Sequence, residues 1–216
     1  VLLGLFFWLP FWGFFNLCAL YVDSAVDTAA LYRSLDAGLS FDANRLKTAI
    51  RLANAKVFQA ADNREELTGM GTTVVAAVVS GDRVTIGSAG DSRCYLVREG
   101  ALRQLTRDDS WVSAALGEGI LNSDDVEHHP LRNVITKAVG ARDTIDLDLV
   151  EHDLLPGDLL MLCSDGLHGM VSDGEIAKLL VPAPASLDEA AARLVDAANE
   201  AGGRDNVSVV LLRRPA

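Results

Sequence analysis

Four aspartates lie beside glycines or at the ends of apolar segments, where a carboxylate could bind a metal ion. Asp165 follows the apolar run 159–163, and Asp205 follows a Gly-Gly-Arg sequence. Asp91 follows Gly-Ser-Ala-Gly, and Asp108 follows Leu-Thr-Arg. Carboxylate oxygens are the ligands that Mg²⁺ and Mn²⁺ prefer, and glycines let the backbone and bound water come close. Each aspartate alone is typical of a turn, but four of them on neighbouring strands would form a metal cluster.

The composition restricts the classes of protein to which the chain can belong. Its 216 residues are enough for one domain with a sizeable core, and 50% hydrophobic residues exclude a disordered chain. The formal net charge of −11 argues against nucleic-acid binding, which needs a basic surface. An anionic substrate remains compatible with this charge, because bound divalent cations reverse the local potential.

Three cysteines, Cys18, Cys94 and Cys163, each lie in an apolar stretch. Their spacing matches neither a zinc site nor a disulfide framework. We therefore predict buried free thiols in a protein of a reducing compartment.

The first 22 residues contain no charged side chain, and the first acidic residue is Asp23. A stretch of this length would just span a bilayer, but it lacks the basic region of a signal peptide and contains Pro10. Three interpretations remain open: a membrane anchor, a buried core segment, or an aberrant start of the chain.

Hydrophobic periodicity predicts alternating helical blocks and short strands. The predicted helices are 25–37, 42–61, 108–128, 173–180 and 187–201; the predicted strands are 72–79, 83–88, 93–97, 102–106, 145–150, 159–163 and 207–212. The connections between most strands are too short for crossover helices, so we expect mainly antiparallel sheets. The predicted fold class is α+β, a layered α-β-β-α sandwich of two sheets flanked by helices.

Six sequence motifs, taken together, identify a family resemblance. They are GMGTTVVAA at 69–77, GSAGDSRCYL at 87–96, LTRDDS at 105–110, HPLRNVITKAVG at 129–140, LLPGDLLMLCSDGL at 154–167 and GGRDNVSVV at 202–210. In this order they resemble the bacterial form of the metal-dependent serine/threonine protein phosphatases, the PP2C-like or PPM family. The resemblance extends from about residue 25 to the end of the sequence.

The resemblance implies the two-sheet sandwich, hydrolysis of phosphoserine and phosphothreonine in proteins, and a centre of two or three Mn²⁺ or Mg²⁺ ions that activates water. By this analogy Asp165 and Asp205 are metal ligands, and Asp108 helps to hold a third, weaker metal. No catalytic residue separate from the metal site is implied. Asp91 and its glycines would shape the site, and residues 109–136 would form a flap beside it. The substrates would be phosphoproteins, with a cognate protein kinase as one candidate.

The match fails at the beginning of the sequence. The family's Asp-Gly-Met-Gly-Gly-His motif, whose aspartate bridges two metals, has no counterpart before residue 25, and Asp23 is the only acid near that position. We therefore expect residues 1–22 to be an anchor or an aberrant start, and 23–216 to be an N-terminally incomplete phosphatase domain. The alternative function is an inactive, phosphatase-like binding domain. The expected location is the cytoplasm, either free or tethered to the membrane by residues 1–22.

Overall fold

The structure is a computed structural model, and it describes residues 2–9, 18–19, 35–122, 129–132 and 134–215, the first two ranges by their backbone alone. The strands are β1 Leu2–Leu9, β2 Cys18–Ala19, β3 Gly71–Ser80, β4 Arg83–Ala89, β5 Arg93–Arg98, β6 Ala101–Gln104, β7 Asp148–Asp153, β8 Leu159–Cys163 and β9 Val209–Arg213. The helices are α1 Phe41–Asn63, α2 Trp111–Gly117, α3 Asp165–His168, α4 Asp173–Leu180 and α5 Leu187–Glu200, with a 3₁₀ turn at Glu65–Leu67.

The strands form two antiparallel sheets, as the short connections predicted. One sheet has the order β2-β1-β3-β4-β7 and the other the order β6-β5-β8-β9. All the strand pairs are antiparallel. The predicted sandwich is therefore confirmed for the described part of the chain.

Three apolar clusters separate four layers. Between the two sheets, the side chains of Val75 and Ile86 pack with those of Leu160 and Leu162. On the outer face of the five-stranded sheet, α1 covers the strands with residues such as Leu46. On the outer face of the four-stranded sheet lie α4 and α5; the buried residues of this cluster include Met161, Leu167, Ile176 and Leu194. Strand β8 contributes to two of these clusters, because successive side chains of a strand point to opposite faces of the sheet.

Local signals account for the ends of the main helices. Ser40 caps α1, its hydroxyl accepting a hydrogen bond from the amide of Ala43 at 3.1 Å. Ser186 caps α5 through the amide of Glu189 at 3.2 Å, at the residues that the sequence predicted. Such caps satisfy amides that have no partner within the helix.

Some predicted elements are wrong or shifted. The structure forms helix α2 only at Trp111–Gly117, whereas the sequence predicted a helix over 108–128, of which 123–128 lie outside the described residues. The strand predicted at 145–150 lies at Asp148–Asp153. Residues 141–147 form a loop, and the chain pairs with β4 only from Asp148 onward. Residues 35–37 are not helical, and the rest of the predicted helix 25–37 lies outside the described residues.

The first residues contribute a strand to the larger sheet. β1 pairs with β3 over its whole length, with Leu9 opposite Gly71. In the described part of the chain, no helix combines the length and apolar character needed to cross a membrane. Cys94 and Cys163 are buried free thiols, as predicted, and the side chain of Cys18 lies outside the described part. Burial raises the pKa of both thiols, that of Cys163 to about 12, so neither is a ready nucleophile.

Candidate metal centre

Asp165 is placed where the buried strand β8 ends. Ser164 separates the strand from the short helix α3, and Asp165 is the first residue of that helix. Cys163 is the last residue of the strand and pairs with Val209 of β9. After Ser164 the chain turns into α3. The sequence predicted a turn at this point, and the structure forms it as one helical turn.

Contacts between the segments that carry Asp165 and Asp205 bring the two together. The hydroxyl of Ser164 donates to the carbonyl oxygen of Asn206 at 3.2 Å and accepts from the amide of Ser208 at 3.1 Å. Gly166 lies against the backbone of Asn206: a Cβ added there would overlap its carbonyl oxygen and lie 2.8 Å from the carbonyl carbon. Only glycine permits this approach, so packing requires the glycine that follows Asp165.

In the part of the chain that the structure describes, Asp165 and Asp205 form a pair of like charges without a protein cation between them. Burial, followed by the negative charge of Asp205, raises the pKa of Asp165 above its usual value. Asp205 is exposed, and its carboxylate accepts a hydrogen bond from the amide of Asn206 at 2.7 Å. Within the described residues, neither carboxylate accepts a hydrogen bond from a lysine, an arginine or a histidine. A divalent cation would remove the repulsion between them.

Asp91 lies in the same acidic environment. Burial, with the negative charges of Asp165 and Asp108, raises the pKa of Asp91 to about 7. Its position depends on Gly90, whose φ is +107° and where a Cβ would lie 2.6 Å from the Cβ of Thr73. The sequence expectation gave Asp91 a shaping role; the structure places its carboxylate within the electrostatic reach of a predicted metal ligand.

Asp108 is held by an arginine. Its carboxylate accepts hydrogen bonds from Nε and Nη2 of Arg93 at 2.9 and 2.7 Å, and from Nε2 of Gln104 at 3.0 Å. Only 16% of the Asp108 side chain is exposed. Arg93 also donates to the hydroxyl of Tyr95 at 2.9 Å, and that hydroxyl donates to Asp173 at 2.9 Å. The oxygens of Asp108 are therefore already used in a charge-assisted network.

His168 links the two acidic segments. Its Nε2 lies 3.0 Å from the backbone oxygen of Asp91, although His168 belongs to the helix that begins with Asp165. Burial, together with the charge of Arg93, lowers the pKa of His168 to about 4. The ring is neutral near pH 7, and because a carbonyl oxygen only accepts, the contact requires the tautomer whose Nε2–H donates a hydrogen bond to Asp91. The sequence analysis missed this contact, since nothing in the motif indicates a partner 77 positions away.

The donor set fits a hard divalent cation, although it is incomplete in the described part of the chain. The convergent groups are carboxylates, which suit Mn²⁺ and Mg²⁺. Among the residues that the structure describes, no three His, Cys, Asp or Glu side chains form a group that could hold a metal ion. The absence of a bridging carboxylate stays a prediction from the sequence, because Asp23, the acid nearest to that position, lies outside the described residues.

Comparison with known proteins gives one consistent result. A family model of protein phosphatase 2C matches residues 20–208. The serine/threonine phosphatase stp of Listeria welshimeri is 37% identical over 169 residues, which are 78% of this chain and 67% of that protein. The serine/threonine phosphatase of S. agalactiae superimposes with a TM-score of 0.77 at 34% identity, covering 82% of this chain and 72% of that one.

A third relative carries the metal. The catalytic domain of the serine/threonine protein phosphatase PstP, solved in complex with two manganese ions, has a TM-score of 0.71 and 33% identity, covering 85% of this chain and 75% of that one. The two-sheet sandwich and these matches together place the chain in the class of metal-dependent phosphatases. The chain belongs to the protein phosphatase 2C family, the bacterial PPM branch of the Mn²⁺- or Mg²⁺-dependent serine/threonine phosphatases.

Proposed function

We propose that Asp165 and Asp205 hold the metal ions of a phosphatase that hydrolyses phosphoserine and phosphothreonine in proteins. The observation that supports this most directly is the contact of Gly166 with the backbone of Asn206, which brings two carboxylates together; among the described residues, no lysine or arginine pairs with either of them. A divalent cation would stabilise such a site, because the attraction of both carboxylates to the metal would outweigh the repulsion between them.

We further propose that Asp91 takes the role that the sequence analysis assigned to Asp108. The oxygens of Asp108 accept hydrogen bonds from Arg93 and Gln104, whereas Asp91 has a raised pKa and faces the charge of Asp165. Asp108 would act on the cluster through its charge and by fixing Arg93. A carboxylate that lacks a cationic partner is the better candidate for a weak additional metal.

The chain's own residues supply position and charge rather than a nucleophile. When bound, the metal ions lower the pKa of a coordinated water and neutralise phosphoryl oxygens. Ser164 and Gly166 fix the two acidic segments relative to each other, and His168 fixes the backbone of Asp91. The buried thiols stay protonated near neutral pH and take no part.

The test is Mn²⁺-dependent hydrolysis of an aryl phosphate and of a phosphothreonine peptide, with Mn²⁺ binding measured by calorimetry. D165N should abolish hydrolysis and weaken Mn²⁺ binding, because it removes a charged ligand while keeping the side-chain volume. D196N is the matched control, because Asp196 is exposed on α5 and its substitution changes the net charge equally. Wild-type activity in D165N would contradict the proposed site.

The same assay separates the two functional classes. Turnover by this chain would exclude the inactive binding domain that the missing bridging motif suggests. A chain that binds phosphoproteins without hydrolysing them would favour that alternative, which is supported by the absence of a three-residue metal group among the described residues.

We propose a cognate serine/threonine kinase as the first protein substrate to test. We also propose that this phosphatase acts in the cytoplasm, either free or tethered to the membrane by residues 1–22. Autophosphorylated kinase carries the phosphoserine and phosphothreonine that such a site would hydrolyse. Release of phosphate from that kinase, compared with an unrelated phosphoprotein at equal concentration, measures the preference; equal rates would argue against a dedicated partner.

A further inference from the structure

Asp109 is a buried carboxylate beside the centre that the proposed function does not use. It follows Asp108 in the sequence, yet its side chain points into different surroundings and is only 8% exposed. One oxygen, Oδ2, accepts a hydrogen bond from the amide of Gly90 at 3.1 Å. The other, Oδ1, lies 2.7 Å from Nζ of Lys137. A buried carboxylate is tolerated when it is paired and hydrogen-bonded in this way.

The backbone of Asp109 makes two further hydrogen bonds to the same two segments. Its amide donates to the carbonyl oxygen of Gly90 at 2.8 Å, and its carbonyl accepts from the amide of Thr136 at 2.7 Å. Gly90 is thus held through both its amide and its carbonyl by one residue. Because Asp91 is the next residue, the direction of its carboxylate depends on these two hydrogen bonds between Gly90 and Asp109.

The segment around Thr136 is also fixed. Ser110 pairs with Ile135, and the amide of Trp111 donates to the carbonyl of Val134 at 2.8 Å. Lys137 reaches a second carboxylate, that of Asp148 at the start of β7, at 3.4 Å. Asp148 is 43% exposed, so this second ion pair is solvated and contributes little.

We propose that Asp109 is a positioning residue, which together with Lys137 holds Gly90 so that the carboxylate of Asp91 faces the metal centre. This inference rests on the metal-dependent function proposed above. It assigns a role to two residues that touch neither Asp165 nor Asp205. Partners behind metal ligands commonly change metal affinity by about 10–100-fold when they are lost.

The experiment combines Mn²⁺ calorimetry with amide hydrogen exchange of the metal-free protein, followed by NMR. D109N and K137M should each weaken the weakest Mn²⁺ site by about tenfold and speed exchange of the Gly90 amide by a similar factor. K137R keeps the charge and should restore both values. D148N removes the exposed ion pair of the same lysine and should change both by less than about twofold.

Two results would overturn the proposal. One is Gly90 exchange in D109N and K137M equal to that of the wild type, whatever the phosphatase activity. The other is faster exchange spread evenly over both sheets, which would mean that Asp109 only stabilises the fold. If the wild type neither binds Mn²⁺ nor hydrolyses phosphate, the proposed function fails, while the exchange of Gly90 still decides the role of Asp109.

Discussion

Single residues in this centre differ in whether the protein itself neutralises them. Asp108 and Asp109 each have a cation within hydrogen-bond distance, Arg93 and Lys137 respectively. Asp91 and Asp165 accept no hydrogen bond from a basic side chain in the described part of the chain, and both have raised pKa values. The protein thus neutralises Asp108 and Asp109 itself, whereas Asp91 and Asp165 are the carboxylates for which we propose metal binding.

The raised pKa of Asp91 predicts how the metal-free protein responds to pH. Its pKa is about 7 in the folded protein and near 3.8 when unfolded, so the folded state keeps a proton that the unfolded chain releases. The contribution of Asp91 to the stability of the metal-free protein should therefore be lost as the pH rises from about 4 to about 7, whereas the lowered pKa of His168 contributes in the opposite direction. Unfolding temperatures of the metal-free protein, measured across this pH range, give the net pH dependence of its stability.

The D91N variant isolates this effect, because asparagine has nearly the same volume and does not titrate. The difference in unfolding temperature between D91N and the wild type should increase from about pH 4 to about pH 7, and D91N should be the more stable protein at pH 7 without metal. Added Mn²⁺ should stabilise the wild type more than D91N. An identical pH dependence in both proteins would show that Asp91 is not the group responsible.

At the scale of elements, the centre depends on the approach of α3 to the segment before β9. That approach is closest at Gly166, where the backbone of Asn206 occupies the space that a side chain would need. Strand β8 and helix α3 were readable in the sequence as an apolar run and an Asp-Gly turn. Their contact with a segment some 40 residues away was not, because periodicity carries no information about which loops meet.

G166A should disturb this junction without touching the rest of α3. The added methyl group must displace the backbone of Asn206, and overpacking of this kind costs about 1–3 kcal/mol. Mn²⁺ affinity should fall as well, because Asp205 moves with its neighbour. Chemical denaturation and calorimetry measure the two effects.

G174A is the control for this substitution. Gly174 lies near the start of α4, where a Cβ would contact nothing within 4 Å. Alanine there should stabilise the protein by about 0.5–1 kcal/mol, because it restricts the unfolded chain and favours the helix. Mn²⁺ affinity should not change. A loss of affinity in G174A would mean that α4 influences the centre by a route other than packing.

For the whole molecule, the two sheets share one apolar interior. Leu160 and Leu162 of β8 face Val75 and Ile86 across it. L160A should lower the free energy of unfolding by about 2–5 kcal/mol, since it leaves a cavity between the sheets. L155A, at a residue 46% exposed, should change it by less than about 0.5 kcal/mol. Two-state unfolding in denaturant provides both numbers.

The sequence predicted the layers of the molecule well, because alternating apolar residues and short turns determine antiparallel sheets. The strands at 83–88, 93–97 and 159–163 lie within one residue of their predicted ends. The 108–128 segment was mispredicted as one helix: Ser110 pairs with Ile135, so the helix begins only at Trp111, and residues 118–122 are not helical. Tertiary contacts override local preference there.

The site was predicted less completely than the fold. The sequence singled out Asp165 and Asp205 by their positions at strand ends, and the structure brings their segments together; their role as metal ligands stays a prediction. The engagement of Asp108 by Arg93 was missed, although the alternation of Arg93 and Tyr95 on β5 placed both on one face. The roles of Asp109 and Lys137 were missed because each depends on a hydrogen bond between loops.

The hydrogen bonds of Ser164 to Asn206 and Ser208 attach the segment before the last strand, β9, to the end of β8. Asp205 lies just before β9, so a cation shared with Asp165 would close a loop between β8 and the edge strand β9 of the smaller sheet. Ligand at about 100 times its dissociation constant adds about 2.7 kcal/mol to the folded state. Part of that stabilisation acts on β9, so a chelator should expose this strand to proteases before the remainder of the sandwich opens.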